Sequence, residues 1–429
     1  MKILHVVPTY APAWRHGGPI RAVHGLCKAL AARGHEVTVF TTNVDTGGAV
    51  PTSQPVSLDG VEVWYFPVRP PRRLYYSPDM GRALAGRVSG FDLVHLHSVF
   101  LWPTAAAARA ASRAGVPYLL APRGMLVPDL LRRRGRLRKA LWIRLVERRT
   151  LAGAAGLHVT SGLEAGEAAR LDLPLPRPFV IPNGVDPEPY LKDVPLSVPV
   201  RDALARAPFL LFLGRLSWKK GLDRLIPALA HVPNTTLVLA GNDDEGYRPK
   251  LEQLAQSAGV AGRVLFTGLV DGADKAALLH RCAALVLPSY SENFGNAVLE
   301  AMAAGRPVAV TPEVGLAPII SSSGAGLVVD GDPVHLGPAL RDLLADPAGL
   351  DAMGQRAALE ATTRFGWSAV AKSMESAYQA ILTPHREGGR GPVRPAQATG
   401  RWGGGPGGQH PKEPSTVEPG HDEAGRSRA

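Results

Sequence analysis

Short apolar runs recur along this 429-residue chain, each separated from the next by a helical or looped crossover, and that rhythm constrains the fold more than any single motif does. Ile3 to Val7, Val37 to Thr41, Val61 to Phe66, Leu93 to Leu96 and Tyr118 to Ala121 make one series. After the Asn183-Gly184 turn a second series follows: Phe209 to Leu213, Thr236 to Ala240, Val264 to Thr267, Ala284 to Leu287, Val308 to Val310 and Leu327 to Val329. Strands this apolar belong to parallel sheets covered on both faces. The pattern predicts an α/β class with two Rossmann-like parallel-sheet domains facing one cleft, bounded at 1–185 and 186–366. A helix is expected over 367–383, where Val370, Met374, Ala377, Tyr378 and Ile381 share one face before Pro384. From 384 to 429 the chain turns to Gly, Pro, Arg, Ser and Glu with Trp402 as its one aromatic, and is expected to be a disordered tail.

Composition removes several function classes. Cys27 and Cys282 are the only cysteines, each inside an apolar helical pattern, so they read as reduced core thiols in a cytosolic protein with no disulfide frame and no metal cluster. The run in Met1-Lys2-Ile3-Leu4-His5-Val6-Val7-Pro8 is too short for a signal segment, and no run approaches the ~18 residues of a spanning helix. The first residues are therefore expected to be a strand.

Ser289-Tyr290-Ser291-Glu292-Asn293-Phe294-Gly295-Asn296-Ala297-Val298-Leu299-Glu300 reads as a site. It follows a buried run that closes at Pro288, which places a polar loop at the carboxyl end of a strand, where ligands bind in α/β sheets. Two glutamates separated mostly by helix stand up to ~12 Å apart, wider than the pair of a glycosidase. That spacing suits a long ligand touching one acid at each end, with the backbone N–H groups of Phe294, Gly295 and Asn296 offered to an anion between them. A nucleotide sugar has that shape. The plain alternative is an N-terminal helix charge at Glu292 and a solvated face residue at Glu300.

The flanking residues weigh against that alternative. Glu292 to Glu300, preceded by Pro288-Ser289 and followed by Ala301-Met302-Ala303, resembles the E-x7-E signature of retaining glycosyltransferases of the GT-B fold, family GT4. Phe212-Leu213-Gly214-Arg215-Leu216-Ser217-Trp218-Lys219-Lys220-Gly221-Leu222-Asp223 resembles that family's donor-phosphate segment, and Ile181-Pro182-Asn183-Gly184-Val185-Asp186 resembles its interdomain turn. The match covers about residues 1 to 382. The resemblance implies that the first domain is the acceptor side, that the second binds the nucleotide sugar, and that the final helix crosses back onto the first domain.

It also implies roles. Glu292 is expected to hold donor sugar hydroxyls, Glu300 the ribose hydroxyls, and Arg215 and Lys220 the diphosphate, where two fixed cations neutralise a leaving phosphate without a metal. Base recognition is expected from backbone around Gly241 and Leu269-Val270. Gly17 and Gly18 follow the first strand; by resemblance they belong to a loop closing over the diphosphate, although adjacent glycines also serve simply as a turn. The acidic cluster Asp243-Asp244-Glu245 reads as solvated, and the resemblance implies metal independence with no cofactor beyond the donor. The mechanism implied is retention, with front-face attack by the acceptor hydroxyl and the donor phosphate taking its proton.

One position departs from the family. Where many relatives carry a histidine near the reaction centre, this chain has Pro122-Arg123-Gly124, and arginine cannot accept a proton. Arg123 would suit an acidic or phosphorylated acceptor; a structural ion pair is the alternative. His95 and His97, at the end of their strand, are expected to point to opposite faces, with His97, nearer the carboxyl end, the better candidate for the acceptor side of the cleft; for each, a hydrogen-bonded histidine at a strand end is the plain alternative.

The formal net charge of +11 concentrates in 129–151, where Arg and Lys interleave with Leu, Trp and Ile. A basic amphipathic helix there fits an anionic membrane surface, while a core helix with a solvated basic back remains open. Nucleic acid fits less well, because the charge comes without a recognition motif. The sequence thus points to a cytoplasmic glycosyltransferase, peripheral at the inner face of the membrane, moving a sugar from a nucleotide-diphosphate donor to a glycan or polyprenyl-linked acceptor in cell-surface polysaccharide synthesis. A GT-B nucleotide-sugar epimerase and an inactive subunit binding a partner at the membrane are the alternatives.

Overall fold

The computed structural model describes residues 1–387 apart from 15–16, 49, 53, 128–140, 188–193 and 207. In the amino-terminal half the strands are β1 Lys2–Val6, β2 Glu36–Thr42, β3 Val56–Leu58, β4 Val61–Phe66, β5 Leu93–His97, β6 Tyr118–Ala121, β7 Gly156–Val159 and β8 Pro178–Val180. They form one sheet in the order β3-β4-β2-β1-β5-β6-β7-β8. In the carboxyl-terminal half β9 Phe209–Leu213, β10 Thr236–Ala240, β11 Val264–Gly268, β12 Ala284–Leu287, β13 Val308–Val310 and β14 Gly326–Val328 form a second sheet, ordered β11-β10-β9-β12-β13-β14.

Every pairing is parallel except one. β3 lies antiparallel to β4 at the sheet edge, joined through Asp59 and Gly60 at φ 50° and 80°, so the expectation of a wholly parallel first sheet is corrected there. A two-residue turn with both centres left-handed can only join antiparallel neighbours. β7 and β8 were also not anticipated, because a four-residue run containing His158 and a three-residue run opening on a proline carry too little apolar pattern.

The parallel strands are buried on both faces. β5, β10 and β12 have no exposed residue, and helices cover each side. On one face of the first sheet, Val23, Leu26 and Leu30 of the helix Gly18–Ala32 pack with Val370, Met374 and Tyr378 of the helix Trp367–Glu387. On the other, Met80 and Leu84 pack with Ala107, Ala108 and Ala111. Each fully buried Leu, Ile or Phe contributes about 2 kcal/mol relative to exposure. The helix from Trp367 runs through Pro384 to Glu387 rather than stopping at 383; a proline in the last turn removes one backbone donor without ending it. The rest of the expected tail, 388–429, lies outside the described residues.

Two features position a cleft. In the second sheet the chain moves outward from β9 to β11 and then returns past β9 to β12, so the loops after β9 and β12 leave the sheet in opposite directions. The outgoing and returning connections run side by side, with Val185 bridged to Gly366 and its N–H donating to Phe365 at 2.8 Å. The Trp367 ring lies against this crossing; a Cβ at Gly184 would come 2.4 Å from it. No helix among the described residues is long and apolar enough to cross a membrane.

Candidate active site

Three loops converge at the carboxyl ends of β9, β10 and β12. The loop after β12 is fixed by its own backbone: Tyr290 N–H donates to Lys219 at 2.8 Å, Glu292 N–H to Glu313 at 3.0 Å, and Gly315 N–H to Glu292 at 2.9 Å. The loop after β9 closes against it at Gly221, which sits at φ 67° with the Pro288 carbonyl 1.9 Å from where a Cβ would stand. Sequence dictates this contact, since only glycine tolerates both the angle and the approach.

These loops line a cleft of about 540 Å³. Gly17, Gly18, Arg123, Arg215, Lys220, Gly241, Val270, Glu292, Phe294, Gly295, Asn296 and Glu300 all border it. Lys220 Nζ is paired with Glu292 Oε2, and Lys275 Nζ lies 3.4 Å from Glu300 Oε1. Arg215 is exposed on the same wall. Gly295 caps the helix Asn296–Ala303 at φ 103°, and the start of that helix, whose first N–H groups have no partner within the helix, borders the cleft with both glutamates. The cleft thus carries acids at two places, cations beside each, and a helix start between them, an arrangement that can hold a long polar ligand with a central anion.

The first half of the chain closes the other wall. Asn183 of the interdomain turn accepts from Arg123 Nη1 at 3.0 Å and donates to Asn296 Oδ1 at 2.9 Å. Ser161 Oγ donates to the Asn293 carbonyl at 2.6 Å, and Arg21 pairs with Asp271 at 2.7 Å. Gly18 faces Asn296 so closely that a Cβ would meet its amide at 2.4 Å; at Gly124, φ 76°, a Cβ would stand 1.8 Å from the Asn293 amide. Close approach across the cleft therefore accounts for Gly18, whereas Gly17 owes its identity to φ 76° before the helix.

Arg123 is held from behind. Its Nε and Nη2 reach His97 Nδ1 at 3.3 and 3.2 Å, and no carboxylate among the described residues pairs with it. Burial pushes its pKa below the ordinary arginine value, and the Glu164 carboxylate opposes that. Glu164 itself is buried, accepting from Gly124 N–H at 2.7 Å, Thr160 N–H at 2.7 Å and Thr160 Oγ1 at 2.8 Å, and so ties the Arg123 loop to the loop after β7.

His95 and His97 share one face, as residues two apart in a strand must, and the expectation of opposite faces is corrected. Their ring centroids are 4.2 Å apart, joined by His5 on β1 and His158 on β7. His97 is buried and does not border the cleft; Arg123 stands between them. The protons follow from the partners. The Ile181 carbonyl accepts from His158 Nε2 at 2.9 Å, so His158 Nδ1 accepts from His95 Nε2 at 3.3 Å, and His95 Nδ1 accepts from Tyr378 Oη at 2.8 Å. Arg123 likewise fixes His97 Nδ1 as an acceptor, which leaves His97 Nε2 to donate to His5 Nδ1 at 3.0 Å. All four rings are neutral in this scheme. Burial, reinforced by Arg123, lowers His5 and His158 to about 3, and burial drives His95 and His97 well below the usual histidine range. The nitrogens of His5, His95 and His97 lie within 4.8 Å of one another, but with these bonds made and a guanidinium alongside they fit a divalent cation poorly.

Asp244 and Glu245 are exposed, as expected of a solvated cluster, while the half-buried Asp243 accepts from Tyr247 N–H at 2.6 Å and Arg248 N–H at 3.0 Å at the start of the next helix. Of the basic segment 129–151, residues up to 140 lie outside the described residues; beyond them Leu141 and Leu145 are 58% and 54% exposed. Sequence reasoning missed Ser161, Glu164, Asn293 and Lys275. The first two carry a readable signal, since Ser161-x-x-Glu164 is a capping box whose Oγ accepts from Glu164 N–H at 3.1 Å.

Comparison with known proteins finds relatives of both halves of the chain. The family model described as "Glycosyl transferases group 1" matches residues 201–360, and the one described as "Glycosyl transferase 4-like domain" matches residues 17–184. A D-inositol 3-phosphate glycosyltransferase of Xylanimonas cellulosilytica is 31% identical over 88% of this chain and 95% of its own length. A glycogen synthase of Mycobacterium tuberculosis is 30% identical over 90% and 96%. Among solved structures, sucrose-phosphate synthase from Thermosynechococcus elongatus superposes with TM-score 0.69 at 24% identity, covering 89% of this chain and 99% of that one. Anabaena HepE in complex with UDP and glucose also gives TM-score 0.69, at 20% identity over 89% and 100%.

Proposed function

The chain belongs to the GT4 glycosyltransferases of GT-B fold, and on that premise we propose that it transfers a sugar with retention, without a metal, from a nucleoside-diphosphate donor to a glycan or lipid-linked acceptor of the cell surface. The observation that carries the reading is the pairing of each motif glutamate with a lysine on either side of one helix start. Lys220 neutralises Glu292. A bound donor exchanges these partners: its diphosphate takes Lys220 and Arg215, and its sugar hydroxyls take the released Glu292. The cations then stabilise the charge that develops on the leaving phosphate, which in turn accepts the acceptor's proton. Glu300 accepts from the ribose hydroxyls, and backbone at Gly241 and Val270 lies against the base.

Two further observations support the acceptor and membrane parts of the proposal. Arg123 is a cation in the cleft wall whose partners are a neutral ring and an amide, which favours an acceptor bearing a carboxylate or phosphate. Leu141 and Leu145 present apolar surface beside a basic run, the combination that seats a protein on anionic lipid. The test is to incubate the protein with UDP-, GDP- and ADP-sugars and envelope glycans or lipid extracts in EDTA. Release of nucleoside diphosphate, with the product's anomeric proton matching the donor's configuration by NMR, is the expected result. An inverted product overturns retention, and activity abolished by EDTA overturns metal independence.

A further inference from the structure

Lys275 is a lysine where packing asks for an apolar residue. It lies one turn into the helix Gly272–Arg281, 5% exposed, in a run whose next four residues, Ala276, Ala277, Leu278 and Leu279, are all buried. Taking an ammonium out of water is costly, and a buried ion pair seldom stabilises a fold more than an aliphatic pair of the same size. Stability alone therefore gives no reason for the charge. Its position does: Nζ is 3.4 Å from Glu300 Oε1, and both side chains border the cleft. The helix begins just after Val270, so this pair stands toward the base end of the cleft, while Lys220 pairs with Glu292 on the other side of the Asn296 helix start.

We propose that Lys275 is a positioning residue of the donor's ribose subsite, holding the Glu300 carboxylate turned into the cleft, and that it thereby sets a preference for ribo- over 2′-deoxynucleoside diphosphates. The proposal rests on the reading of Glu300 as the ribose acceptor. A carboxylate turned into the cleft accepts two hydroxyl protons, while one rotated away does not. The ammonium fixes that direction without touching the reacting atoms.

The experiment is calorimetric titration of the full-length protein with the tightest binder among UDP, GDP and ADP, and with its 2′-deoxy analogue. The wild type is expected to prefer the ribonucleotide by about 10-fold or more, the worth of one hydrogen bond to a charged group. Glu300→Gln and Lys275→Met should each bring the ratio to within about 2-fold of parity, Lys275→Arg should restore it, and the double variant should lose no more than Glu300→Gln alone. If Glu300→Gln keeps the preference, the ribose reading itself fails. If Glu300→Gln loses it and Lys275→Met keeps it, the reading stands and the role given to Lys275 is wrong. Should Lys275→Met not fold, Lys275→Gln is read against Lys275→Arg in its place.

Discussion

At the scale of single residues, the site is a set of charges that satisfy one another until a ligand arrives. Lys220 and Glu292 illustrate the point, because each is the other's partner in the structure and each has a different partner in the proposed complex. Removing either has distinct consequences. Lys220→Ala deletes a phosphate contact and should weaken nucleoside diphosphate binding by about 10- to 100-fold, read by calorimetry. Glu292→Gln leaves the phosphate cations in place, so nucleotide affinity should hold while kcat falls about 100-fold or more in initial-rate assays. Equal loss of affinity in both variants would contradict the assignment of the glutamate to the sugar. The sequence made these two residues legible through the family motifs that hold them, because apolar patterns place a glutamate after a strand and a lysine near a helix start but leave both open to a plain surface reading. Lys275 was not legible, since in Gly272-Ala273-Asp274-Lys275-Ala276 it looks like any solvated helix lysine, and only the packing of two helices buries it.

At the scale of elements, strand order decides which loops meet, and glycines decide how closely. Gly221→Ala puts a Cβ 1.9 Å from the Pro288 carbonyl at φ 67°, and backbone cannot yield as a side chain tip can. It should destabilise the fold by about 2–4 kcal/mol, seen as a lower Tm with a nucleotide response reduced in proportion. An unchanged Tm would show that the two loops are not packed as described. The histidine stack across β1, β5 and β7 makes a second prediction. Burial lowers His5 and His158 from the usual 6.5 to about 3 in the folded chain, and shifts His95 and His97 the same way. Depressed folded values mean that the unfolded chain binds more protons below about 6.5, so the stack's contribution is complete above that pH and is lost as pH falls toward 3. Melting temperature should drop steeply between about pH 6.5 and 4. Tyr378→Phe, which removes the donor to His95 Nδ1, should lower stability at neutral pH by about 1 kcal/mol or more. The sequence placed His95 and His97 at a strand end, but which face they share and what lies behind them depend on the neighbours β1 and β7, and β7 is too short a run to read.

At the scale of the whole molecule, the longer apolar runs were sufficient for two parallel sheets, whereas β7 and β8, parallel as well, are too short and too mixed to stand out in sequence. What could not be read was the contact between halves. Asn183 and Asn293 are polar loop residues and Asn296 opens its helix, and the bonds that tie Asn183 to Arg123 and Asn296, and Asn293 to Ser161, appear only once the fold brings them together. A surface prediction also belongs here: Leu141→Glu with Leu145→Glu should weaken flotation with vesicles containing anionic lipid while leaving nucleotide binding intact. Flotation that survives the double change places the membrane contact elsewhere. The most direct test of the central claim is a binding titration of UDP, GDP and ADP against wild type and Arg215→Ala/Lys220→Ala. One nucleoside diphosphate should bind the wild type with the double variant weaker by about 100-fold or more. Binding that is unaffected by losing both cations, or no binding by any of the three, would contradict a donor site at the start of the Asn296 helix.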